Sequence, residues 1–75
     1  MAITEHSVVL FHSTSGAIRA EKLAKKGGLK VKLIPVPRHL SSDCGVCLRF
    51  LSTDVENLRA ILDASRVEFE EICAL

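Results

Sequence analysis

The sequence has no tryptophan and no tyrosine, and its aromatic side chains are Phe11, Phe50 and Phe69 alone. A surface that stacks nucleobases needs more rings, which argues against an RNA-binding module of this size. Charge of one sign is missing as well. The net charge is +1, too little to draw the chain toward nucleic acid or anionic lipid. No apolar run approaches the roughly 20 residues of a membrane-spanning helix. The segment MAITEHSVVLFHS lacks the basic stretch, long apolar stretch and small-residue cleavage site of a secretory signal. Neither nucleic acid nor membrane is therefore expected as a partner, and the expected location is cytoplasmic. Repeats and low-complexity tracts are absent too. With 48% hydrophobic and 25% charged residues, the composition is that of a folded chain.

At 75 residues there is room for one core, so residues 1–75 are expected to form a single domain. Such a chain buries only about 60% of its unfolded surface, which leaves a stability of a few kcal/mol. Cysteine is scarce and odd in number: Cys44, Cys47 and Cys73. In a reducing compartment that count does not make a disulfide framework. Packing, metal binding or thiol chemistry remain.

The apolar, β-branched run Ser7 to His12 predicts a buried strand. HSTSG then breaks it, with Ser13, Thr14 or Ser15 available as a helix N-cap. From Ala17 to Lys26 the pattern is helical. Ala17, Ala20, Leu23 and Ala24 share one face, and Arg19, Lys22, Lys25 and Lys26 take the other. Gly27 and Gly28 end that helix. Val31 to Val36 predicts a second strand, and Pro35, which has no N–H, pushes it to an edge or marks its end. After the polar loop PRHLSSDCG, the alternation in Val46 to Leu51 predicts a third strand. Thr53-Asp-Val-Glu56 has the form of a capping box and starts a second helix to about Ala64, with Val55, Leu58 and Leu62 inward. Glu68 to Ala74 is the last strand.

Strand, helix, strand, strand, helix, strand with right-handed crossovers predicts an α+β, ferredoxin-like βαββαβ sandwich. Its four-stranded antiparallel sheet carries both helices on one face. In that topology the loop after the first strand, His12 to Ser15, and the loop Pro37 to Gly45 emerge at the same end of the sheet. The N-terminus of the first helix is there too. The SSDCG segment is thus expected near a partial positive charge, with His12, Ser13, Arg38, His39, Ser41 and Ser42 as supporting groups. Cys73 is expected toward the opposite end.

The thiolate is the reactive form of cysteine, and positive charge or hydrogen-bond donors lower its pKa from about 8.5. Cys44 has the helix terminus and the two serines for this, while Asp43 opposes it. Gly45 leaves the sulfur accessible, so Cys44 is the best nucleophile candidate. Cys47 is either its resolving partner or a small residue on the outer face of a strand. Residues three apart in a continuous strand lie about 10 Å apart, and a disulfide needs Cα atoms within about 7 Å. Pairing of Cys44 with Cys47 would therefore need a tight turn at Gly45. A metal set of His12, His39, Cys44 and Cys47 has only one tight ligand pair, where structural zinc usually shows two. No metal and no cofactor is expected.

The marks FHST at the end of the first strand, AEKL in the helix, L-I-P-x-P-R closing the second strand and S-S-x-C-G followed by x-x-L-R-F come in a fixed order. With them, residues 11 to 50 resemble the small bacterial and archaeal proteins of the selenium/sulfur carrier-like family. The resemblance extends more weakly through the second helix. It implies a Cys-Gly site whose sulfur carries a persulfide or selenopersulfide, a role that falls on Cys44 beside Gly45. Cys47 stands where the resemblance leads us to expect a small apolar residue.

The expected function is a sulfur or selenium carrier, loaded on Cys44 by a desulfurase-like donor and unloaded to an acceptor protein. A carrier is expected rather than a stand-alone enzyme, since no acid–base pair or cofactor motif surrounds the thiol. Two alternatives stay open. One is a thiol redox or sensor module using Cys44 and Cys47. The other is a non-catalytic regulatory or interaction domain, in which Ile34, Val36 and Leu51 meet a partner or a second copy in a homodimer.

Overall fold

The computed structural model describes residues 5–40 and 45–75. Strand β1 is His6–Leu10 and helix α1 is Thr14–Lys26. Strands β2 and β3 are Val31–Pro35 and Val46–Leu51. A 3₁₀ turn, Ser52–Asp54, leads into helix α2, Val55–Ala64, and strand β4 is Glu71–Ala74. The sheet has four strands in the order β2-β3-β1-β4, and every neighbouring pair is antiparallel. This is the ferredoxin-like order. Pro35 lies on the edge strand β2, where its missing N–H costs no ladder bond.

Both helices pack on one face. Val9 from β1 and Leu48 and Phe50 from β3 meet Ala17, Ala20 and Ala24 of α1 and Leu58 and Leu62 of α2. The three alanines are wholly buried, so this face of α1 sets small side chains against the larger ones of the sheet. The opposite face is not bare. Val8, Leu10 and Cys47 form a second buried cluster, with Ile34, Val36, Leu40 and Cys73 packed against it. Leu40 reaches it because Pro37 to Leu40 form a turn, in which the Leu40 N–H donates to the Pro37 carbonyl at 3.0 Å.

The element ends differ from expectation where a local bond intervenes. Helix α1 starts at Thr14 rather than Ala17, because Ser13 Oγ accepts from the Gly16 N–H at 3.2 Å and holds that turn. The capping box does not form, since the N-cap of α2 is Asp54 and makes no side-chain capping bond. Instead the Ser52 N–H donates to the Glu5 carbonyl at 2.9 Å, and Ser52 Oγ shares a hydrogen bond with buried Ser7 Oγ at 2.7 Å. These ties pull the chain into a 3₁₀ turn that occupies Thr53. Strand β4 begins at Glu71 rather than Glu68, after the Glu70 N–H donates to the Leu10 carbonyl at 2.7 Å.

The two helices end in the same motif with different residues. After α1, the Leu29 N–H reaches the Ala24 carbonyl and the Gly28 N–H reaches the Lys25 carbonyl, each at 3.0 Å. After α2, the Val67 N–H reaches Leu62 at 2.9 Å and the Arg66 N–H reaches Asp63 at 3.1 Å. Both are Schellman closures, which require a left-handed residue. Gly28 supplies it with φ 84° and Arg66 with φ 54°.

Only the arginine carries a Cβ into that conformation, at a cost of about 1 kcal/mol. Arg66→Gly should therefore stabilise the domain by up to about 1 kcal/mol, and Gly28→Ala should destabilise it by about as much. Urea unfolding followed by circular dichroism reads both, with the slope unchanged. Arg66→Ala, which keeps the strain and removes the charge, should give no gain. Under the helix, Ala20→Leu has no space to enter and should destabilise by about 1–3 kcal/mol, seen in the same melts as a lower midpoint.

Candidate functional site

The register fixes which loops share an end of the sheet. Leu10 pairs with Cys47 on one side and with Glu71 on the other, and Pro35 pairs with Val46. The end of β1, the end of β2 and the starts of β3 and β4 therefore lie together. Helix α1 begins at the same end. A methyl group on Gly16 would touch the Phe11 ring and the Glu68 carbonyl, so the N-terminus of α1 packs between β1 and the approach to β4. The α2 terminus is near as well, with an Arg19 amino group donating to the Ser65 carbonyl at 3.4 Å.

Of the residues singled out in the sequence, Cys44, Ser41 and Ser42 lie outside the described residues. The structure brackets them instead. On one side is Leu40, folded onto the outer sheet cluster. On the other is Gly45, exposed, with its carbonyl accepting from the Val36 N–H at 3.2 Å. A Cβ on Gly45 would meet nothing within 4 Å, so the space beside it is open. Extending the β1–β3 register by two residues would put His12 opposite Gly45. His12, Arg38 and His39 are all exposed, the last two in the Pro37–Leu40 turn. Ser13 is exposed too, and its hydroxyl oxygen serves as the N-cap.

The other two cysteines occupy the outer face of the sheet. Cys47, on β3, is 0% exposed and sits in the cluster with Val8 and Leu10. Cys73 is half-buried and pairs with Val8, at mid-sheet rather than at the far end. Burial, a hydrogen bond from its thiol to the Glu71 carboxylate and the charge of that carboxylate push its pKa up. Among the described residues no group of three His, Cys, Asp or Glu side chains is placed to hold a metal ion, and no helix is long and apolar enough to cross a membrane.

Sequence reasoning missed two features. Leu40 seals the outer cluster beside the cysteine loop, a role with no periodic signal because it depends on a turn. Lys32 stands directly opposite Arg49 across the β2–β3 ladder, a pairing visible only once the register is known.

Comparison with known proteins bears on the whole of this architecture. Residues 6–74 match the family described as "Putative Se/S carrier protein-like". Part of the chain is similar to the uncharacterized protein YtiA of Escherichia coli (strain K12), 38% identical over 39 residues. That stretch is 52% of this chain and 46% of the relative, so the chain spans about half the length of the curated protein it matches. No solved structure matches it. The family match runs from the start of β1 to the end of β4, and the chain belongs to the Se/S carrier protein-like family.

Proposed function

We infer that the protein is a carrier of sulfane sulfur or selenium, with Cys44 as the loading residue and the cytoplasm as its place of work. Membership of the Se/S carrier protein-like family supports the class of function. The observation that carries the choice of residue is the condition of the other two sulfurs. Cys47 is wholly buried, and Cys73 is held toward its thiol form by burial and by Glu71. An attacking sulfur needs exposure and thiolate character, and neither position combines them. Gly45, the next residue in the chain after Cys44, is exposed at the end of the sheet where α1 presents its N-terminus and the partial positive charge that goes with it.

In the loading step the Cys44 thiolate attacks the outer sulfur of a cysteine persulfide on the donor enzyme. The new S–S bond forms as the donor's own S–S bond breaks, and the donor cysteine leaves as a thiolate. The terminal atom passes as a two-electron unit, so no external oxidant or reductant is consumed. Unloading repeats the exchange with an acceptor protein's thiolate. Replacing the terminal sulfur by selenium leaves the balance unchanged. Arg38, His39, His12, Ser13, Ser41 and Ser42 are the supporting groups in this reading, offering charge and hydrogen bonds to the anion on either sulfur. A redox cycle between Cys44 and Cys47 would first have to bring Cys47 out of the cluster that covers it, which makes it the weaker reading.

The test is peptide-mapped mass spectrometry without reduction, after incubation with a cysteine desulfurase and cysteine. One added sulfur on the Cys44 peptide, removed by reductant and absent from Cys44→Ser, is the expected result. A Cys44–Cys47 disulfide with no added sulfur would transfer the assignment to redox chemistry. Unmodified protein would leave the interaction domain as the better description. Cys73 provides an internal contrast. At pH 7.5 iodoacetamide should modify it more slowly in the folded chain than in the urea-unfolded chain. Its raised pKa means less thiolate at that pH, so the folded rate should climb as pH rises through the thiol range. Glu71→Gln, which removes the charge, should bring the folded rate closer to the unfolded one.

A further inference from the structure

The net charge of +1 hides a strong segregation. Through Arg49 the sequence has eight lysines and arginines against three acids, and beyond it two against six. The sheet order turns this into geometry, because β2 forms one edge and β4 the other. The β4 side carries Glu68, Glu70 and Glu71, whereas α1 and β2 carry the lysines.

On the basic side lies an open groove of about 460 Å³, lined by Lys25, Lys30, Lys32, Arg49 and His6. That volume is in the range of ligand sites. Within the groove the one ion pair among the described residues is Lys25 with Glu21, at 3.5 Å. Lys32 and Arg49 face each other directly across neighbouring strands, an arrangement that repels in the absence of an anion. A carboxylate between them would turn that repulsion into two attractions, and an arginine fork can hold a carboxylate in bidentate fashion. Leu29 and Leu51 add an apolar part to the lining. Beside it the outer side of edge strand β2 has no neighbouring strand, leaving backbone groups to receive an extended segment.

We propose that this groove is the docking site for an acidic, glutamate- or aspartate-rich segment of a partner protein. The mixed lining and the edge strand favour a peptide over a nucleic acid, since the groove contains no Phe, Tyr or Trp ring for a base to stack on. It lies at the start of β2 and the end of β3, whereas Gly45 and the cysteine loop lie at the start of β3. About six residues of strand separate the two, or about 20 Å. A partner held here leaves the loop end of the sheet uncovered. The inference rests on charge and register, and stands whether or not Cys44 carries sulfur.

The experiment is a titration of the full-length ¹⁵N-labelled chain with an octaglutamate peptide, followed by amide shifts. The expected result is saturable shifts confined to the groove, at His6, Lys25, residues 29–33 and residues 49–51, lost in about 0.5 M salt. Lys32→Glu combined with Arg49→Glu should weaken the affinity by about tenfold or more. Lys32→Gln relieves a like-charge contact and so keeps the fold; it should also weaken binding, by less. Equal affinity in these variants, or shifts spread to Lys22 and Lys26 of α1, outside the groove, overturns the proposal. Tighter binding of a single-stranded oligonucleotide at the same residues would overturn it in favour of nucleic acid. Concentration-dependent shifts of the Glu70 and Glu71 amides without peptide would overturn it in favour of a second copy of this chain.

Discussion

The pairing of β1 with β3 is the constraint on which the rest of the structure depends. Both strands bury residues on both faces, with Val9, Leu48 and Phe50 toward the helices and Val8, Leu10 and Cys47 away from them. Side chains alternate along a strand, so a slip of one residue would exchange the two sets. The helix side needs large residues to meet a stripe of alanines. The other side accepts a smaller set closed by Leu40 and Val36. Neither set fits the other's place, and this asymmetry holds the register of Leu10 against Cys47. Everything at the loop end of the sheet inherits its position from that pairing.

Much of this architecture was legible in the sequence. Strand β3 has the bounds its alternation indicates, Ser13 caps α1, and the paired glycines close it. These features are encoded within a few residues, where propensity and hydrogen bonding act locally. The parts that were not legible depend on distant partners. The Thr53–Glu56 pattern loses its box because Ser52 is tied to Glu5 and Ser7, far away in the chain. The turn after α2 places an arginine where the motif favours glycine, so no composition signal marks it. The closing of the sheet's second face draws on Val36 and on a leucine brought back by a turn. Of the candidate site, the neighbourhood was readable from topology, because antiparallel order decides which loops meet. The condition of the two other sulfurs was not, since it depends on Glu71 and on the outer cluster.

Charge shows the same division between local and global information. A count of ionic residues gives near neutrality, and the lysines of α1 look like an ordinary solvated face. Folding sorts those charges by strand order and concentrates one sign on each edge. The described residues leave exposed Gly45 at one end of the sheet and a charged groove at the other.

The position of β1 also bears on how quickly the chain can find its structure. Its two neighbours in the sheet are β3 and β4, about 40 and about 65 residues away in sequence. The central strand therefore cannot be consolidated by any hairpin it forms with the next element, and two long loops must close before it is paired on both sides. Loop closure on that scale loses chain entropy ahead of most of the burial that offsets it. For a domain of this size the folding time should sit with mixed α/β chains, slower than a helical bundle of equal length. During that interval the apolar residues of β1 are the most exposed to wrong partners, and the edge proline of β2 blunts one place where such a partner would attach.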